Sequence, residues 1–194
     1  MSSSAAAAAV IAARRREERD AADPVGAISR NQSRALAIAL LTAIWFGGAM
    51  LAVTTVAPAA FRVLPTRALA GALVGQVLPV LFIAGMCIGV VALVLTPRGA
   101  PQRLLRRVGA AGTIAGCAVA QLVIGPRISA LRERIGPSVE ALAPTDPMRL
   151  TFGKLHGLSV LSLGVAMVFA LATLVAAVLA IRATARRRAA VAGD

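Results

Sequence analysis

The chain has 194 residues, 58% of them hydrophobic, which is too apolar for an ordinary soluble domain. Its 21 basic residues against 8 acidic ones give a net charge of +13. The arginines flank apolar runs and accompany no recognition fold, so they serve topology and lipid headgroups, and nucleic acid is not expected as a partner. Both cysteines, Cys87 and Cys117, fall inside apolar runs, which excludes a disulfide framework.

Residues 1–30 read as a disordered, arginine-rich cytoplasmic tail. Arg14, Arg15 and Arg16 follow the apolar stretch from Ser2 to Ala13, whereas a signal peptide carries its positive charge first. No charged side chain then occurs from Ala35 to Phe61, from Ala68 to Pro97, from Val108 to Pro126, or from Leu155 to Ile181. A helix needs about 20 residues to cross a bilayer, so each run is a span. The fold class is all-α: an integral membrane four-helix bundle over residues 31–184, followed by a cytoplasmic tail, 185–194.

The first connection, about Pro58 to Thr66, is short and makes spans 1 and 2 antiparallel neighbours. The connection between spans 3 and 4, about Gly125 to Lys154, is the long one. After Pro126, which ends span 3, Ile128, Leu131 and Ile135 recur at helical spacing and predict a short amphipathic helix near the outer surface. Gly136-Pro137 ends it, and Arg132-Glu133-Arg134 reads as its solvated face. Thr145-Asp146-Pro147 then reads as a cap and first-turn proline, so span 4 starts near Met148. Arginines are denser in the two tails and the 2–3 connection than on the other side. That places both termini in the cytoplasm and the chain in the inner (plasma) membrane.

Within the spans, small residues mark where helices touch. Span 2 carries Gly71, Gly75, Gly85 and Gly89 on one face. Span 3 carries Gly109, Gly112, Gly116 and Ala120, and span 4 carries Ser159, Ala166, Ala170, Thr173 and Ala177. Bulky residues of span 3, Ile114, Val119, Leu122 and Val123, are expected to meet lipid. The polar residues gather in the outer half: Thr54, Thr55, Gln76, Gln121, His156 and Ser159. Pro79 frees the carbonyl of Gly75 beside them. This cluster reads as interhelical hydrogen bonding or as a small-molecule or ion site open to the outside.

No nucleophile–base pair, phosphate loop or zinc spacing occurs, so a non-enzymatic protein with no cofactor is expected. One histidine, His156, excludes a bis-histidine haem within the chain, and no acid lies in a span to relay protons. Cys87, Cys117, Met86 and His156 are the donors that a soft metal such as Cu(I) would use; packing is the plainer role of the thiols.

Several segments line up with a known family. These are Trp45-Phe46-Gly47-Gly48, Ala57-Pro58-Ala59-Ala60-Phe61, Arg67-Ala68-Leu69-Ala70-Gly71, Gly125-Pro126-Arg127-Ile128 and Phe152-Gly153-Lys154-Leu155-His156-Gly157-Leu158-Ser159. In this order they resemble the TMEM205-like domain family, formerly DUF4149, over about residues 35–181. The resemblance implies a small four-helix membrane protein without an assigned activity. Its characteristic positions here would be Pro58, Phe61, Gly71, Pro126 and His156. The aromatic-Gly-Gly segment is also similar to copper-resistance membrane domains of the CopD type. Together these features predict a structural or interaction-mediating membrane protein, partnered by the bilayer and by copies of itself or a larger complex. A small transporter or soft-metal handler is the alternative.

Overall fold

The computed structural model describes residues 10–12, 14–15, 24–100, 102–136 and 138–193. Much of the expected N-terminal tail, and Pro137 at the expected helix end, lie outside the described residues. Four helices are long and apolar enough to cross a membrane: span 1, Gly26–Val63; span 2, Arg67–Leu95; span 3, Arg103–Ile135; and span 4, Pro147–Ala190. They alternate in direction, so one end of the bundle, the terminal end, carries the start of span 1, the end of span 4 and the 2–3 connection. The other, the loop end, carries the 1–2 and 3–4 connections. Span 4 packs on spans 1 and 3, and span 2 packs on the same two. Many large apolar side chains point outward at mid-helix, among them Ile44, Val80, Leu122 and Val168, the surface of a bundle solvated by lipid.

The glycine faces are where the helices meet. A Cβ at Gly85 would lie 2.6 Å from the Cys117 sulfur and 2.8 Å from the Trp45 ring. A Cβ at Gly116 would lie 2.9 Å from both Ala166 Cβ and the Ser162 carbonyl. Gly109 and Gly112 give the same passage to Thr173 and Phe169 of span 4. Trp45 Nε1 donates to the Leu81 carbonyl at 2.8 Å and ties span 1 to span 2. Ala166, Ala170, Thr173 and Ala177 are buried, as the small-residue stripe of span 4 predicts. Of the four bulky residues expected in lipid, Val119, Leu122 and Val123 are exposed. Ile114 is not: its side chain fills the notch over Gly89, because a missing Cβ on one helix admits a large side chain from its neighbour.

Two prolines behave differently from expectation. Pro58 was expected to turn the chain and Pro126 to end span 3, yet both helices continue, to Val63 and Ile135. Each proline follows a π-helical turn, Ala52–Val56 and Val119–Ile124. The residue before it bonds five residues back: Ala57 N–H to Ala52 O, and Gly125 N–H to Ala120 O. A proline ring collides with the carbonyl four residues earlier and offers no N–H. The wider π turn shifts the bonding pattern by one residue and accommodates both defects. The predicted amphipathic helix therefore exists as Gly125–Ile135, but it continues span 3 and does not lie separately along the surface. Gly136, at φ 86°, closes it in the left-handed half of backbone space.

Span 4 begins at Pro147 as the cap predicts, with Asp146 Oδ1 accepting from the Met148 N–H at 2.7 Å. The helices run through the expected tail boundaries: the first starts at Pro24 and the last continues to Gly193.

Candidate functional site

The loop end of the bundle is hollow. A cavity of about 400 Å³ opens between spans 1, 2 and 4, walled by apolar side chains such as Val77, Leu163 and Met167. A second, of about 580 Å³, opens between spans 2, 3 and 4 and carries Arg67, Gln121, Arg132, Glu140 and Arg149. Phe61, Val74, Leu78, Phe82, His156 and Ser159 line both, so the two cavities adjoin.

Arg132 dominates the polar cavity. The step from Gln121 to Gly125, Ile128 and Arg132 keeps these residues on one stripe of a continuous helix, and all four line the cavity. The guanidinium lies half-buried against span 2, where Nη2 donates to the Gly71 carbonyl at 3.3 Å. A Cβ at Gly71 would stand 3.0 Å from Nη2, and one at Gly75 would stand 3.3 Å from Nη1; the two glycines are the bed on which the arginine rests. Its other face lies over Phe152 of span 4, 5.5 Å from the ring centroid, within cation–π range. Phe152 in turn stacks on His156, centroids 6.4 Å apart and planes 4° from parallel. Arg132 thus bridges spans 2 and 4 through partners that carry no negative charge. The solvated face expected of Arg132-Glu133-Arg134 holds for Glu133 and Arg134, which are exposed, and fails for Arg132.

The other polar groups have local duties. Arg149 Nη1 donates to the Leu142 carbonyl at 2.8 Å and pins the 3–4 connection to span 4. Glu140 accepts from the Ser138 hydroxyl at 3.1 Å.

Of the predicted outer-half cluster, Gln121, His156 and Ser159 come together around the cavities. Thr54, Thr55 and Gln76 do not join them and are exposed. Thr54 Oγ1 bonds the Met50 carbonyl at 2.7 Å inside its own helix. Gln76, one residue past Gly75, is rotated about 100° away from the inward face. Phe61, Gly71 and His156 line the cavities, and Pro58 lines the apolar one. Pro126 is exposed on span 3. The thiols do not converge: Cys117 is buried against Gly85 and Trp45, and Cys87 is exposed on the outward side of span 2. Met86 packs against the core cluster around Trp45. Among the described residues, no three His, Cys, Asp or Glu side chains group together.

Sequence reasoning passed over Arg132 as a site residue. The signal was present: an arginine on the Gln121–Gly125–Ile128 stripe, two bare glycines on the facing helix, and an aromatic residue at the start of span 4.

Four apolar helices around a glycine-lined core, hollow at one end, define a helical membrane bundle. Within that class, the chain belongs to the family described as a domain of unknown function, DUF4149, whose model matches residues 40–136. The match covers most of span 1, span 2 and span 3 and stops before span 4, so His156 lies beyond it. No curated protein and no solved structure matches the chain.

Proposed function

We propose that this is a non-enzymatic membrane protein that holds a small amphipathic molecule, drawn from the bilayer, in its loop-end cavities. The observation that carries this reading is the adjoining pair of cavities, one apolar and one polar, of about 400 and 580 Å³. Ligand sites have this size and this mixture of apolar wall and few polar groups. The arginine-rich terminal end supports cytoplasmic termini in the inner membrane, which would turn the cavities toward the outer leaflet.

Gly164 provides the test. It lines the apolar cavity, and a Cβ there would meet nothing within 4 Å. Gly164→Leu should therefore fill the cavity without disturbing the fold. Mass spectrometry of the protein purified in mild detergent should find a copurified amphiphile on the wild type and several-fold less on Gly164→Leu. Equal occupancy of the two, at equal thermal stability, would sink the proposal.

A further inference from the structure

The two cavities differ in polarity and in the level at which they begin. Along span 2 the polar one begins at Arg67 and Gly71, at the edge of the charge-free run. The apolar one begins about two turns further in, at Val74, and both reach Leu78 and Phe82. Gly71 and Phe82 are separated by three helical turns, about 16 Å along the axis. Span 4 descends in parallel, from Phe152 at the polar level through His156 and Ser159 to Leu163 and Met167. A molecule entering from the bilayer would meet charge at the interfacial level and apolar wall below it.

The charge at that level is basic. Arg67, Arg132 and Arg149 line the polar cavity against one acid, Glu140, whose carboxylate is held by Ser138. Arg149 spends one nitrogen on the Leu142 carbonyl. Arg132 is the arginine laid across the cavity wall, with a carbonyl and a ring as its partners. A guanidinium fork so placed matches the oxygens of a phosphate or carboxylate.

We infer that the cavities take an amphiphile with one anionic headgroup, its phosphate or carboxylate on Arg132 and its apolar chain running down past Phe82. The inference rests on the cavity reading above and adds the ligand's charge, its orientation and the residue that selects it. Ser129, three residues before Arg132, and Gln121, about three turns deeper on the same helix, are neutral hydrogen-bonding groups along the same wall. Phe152, itself stacked on His156, meets the guanidinium from the span 4 side.

The test is native mass spectrometry of the full chain released from neutral detergent, with hexadecyl phosphate, hexadecanol and inorganic phosphate as separate probes. The wild type should prefer hexadecyl phosphate to hexadecanol by about tenfold, the scale of one charge-assisted contact. Arg132→Gln should lose that preference while still binding hexadecanol, which shows that the variant is folded. Arg132→Lys, which keeps the charge and loses the fork, should retain part of it. Equal wild-type affinity for the two long-chain probes would overturn the anionic headgroup and leave the cavity reading standing. Failure of both to bind, or undiminished binding by Gly164→Leu, would overturn the cavity reading itself. Inorganic phosphate binding as tightly as hexadecyl phosphate would assign a free-anion site and remove the amphiphile.

Discussion

Two arginines of span 3 show how differently one residue type can be used. Arg132 at the loop end is bedded on Gly71 and Gly75 and capped by Phe152. Arg106 at the terminal end is only 2% exposed, and its Nε has no partner among the described residues. A buried charge without a counter-charge is a cost to the fold, because desolvation is not returned by any contact. Replacing it with an apolar side chain of similar length should remove that cost. Arg106→Met is therefore expected to raise stability in detergent by about 1 kcal/mol or more, read as a higher unfolding midpoint. A lower midpoint would show that the guanidinium is balanced by a group outside the described residues. Neither role is legible in the sequence, which reads Arg132 as part of a solvated helix face and Arg106 as a flanking charge. A flanking arginine can snorkel to water or turn into a bundle, and only the facing helix decides which. The glycines were legible, because a missing Cβ in a lipid-solvated helix has few uses other than close approach.

At the scale of the helix, the same residue type should carry opposite signs of effect according to what it faces. A Cβ at Gly116 would lie 2.9 Å from the Ser162 carbonyl and 2.9 Å from Ala166 Cβ, so Gly116→Ala must push spans 3 and 4 apart. The cost should be about 1–3 kcal/mol, the usual range for overpacking. At Gly48 of span 1 an added Cβ would meet nothing within 4 Å. There Gly48→Ala should stabilise by about 0.5–1 kcal/mol through reduced chain entropy in the unfolded state. Paired thermal melts of the two variants check both signs at once, and a loss at Gly48 would mean that its face is covered by something other than lipid. Helix extents were less legible than helix existence. Charge-free runs located all four spans, but Pro58 and Pro126 were read as ends because a proline in a regular α-helix is disruptive. The π turns that absorb them, Ala52–Val56 and Val119–Ile124, leave no distinctive side-chain pattern. Continuing span 3 through Pro126 is what carries Arg132 to span 2. One unrecognised turn therefore hid both the length of a helix and the main residue of the site.

For the whole molecule, orientation follows from how many basic groups each end presents to its surroundings. The terminal end carries Arg30, Arg34, Arg98, Arg103, Arg107, Arg182, Arg186, Arg187 and Arg188, with further arginines in the preceding segment. The loop end carries Arg62, Arg67, Arg127, Arg132, Arg134, Arg149 and Lys154, together with Glu133, Glu140 and Asp146. Folding adds to this imbalance, since Arg132 and Arg149 are partly withdrawn into the polar cavity while Arg67 stays exposed. On the positive-inside rule this imbalance would put the terminal end in the cytoplasm, the orientation proposed above. A Cys87→Ala/Cys117→Ala background allows single reporter cysteines to be placed at Thr145 and Ala189, both exposed positions at opposite ends. In intact cells a membrane-impermeant maleimide should label Thr145→Cys and should reach Ala189→Cys only after permeabilisation. The opposite pattern would invert the protein and make the cavities accessible from the cytoplasmic leaflet. The anionic-amphiphile site would survive that inversion, because its contacts lie within one bundle, but the leaflet supplying its ligand would change.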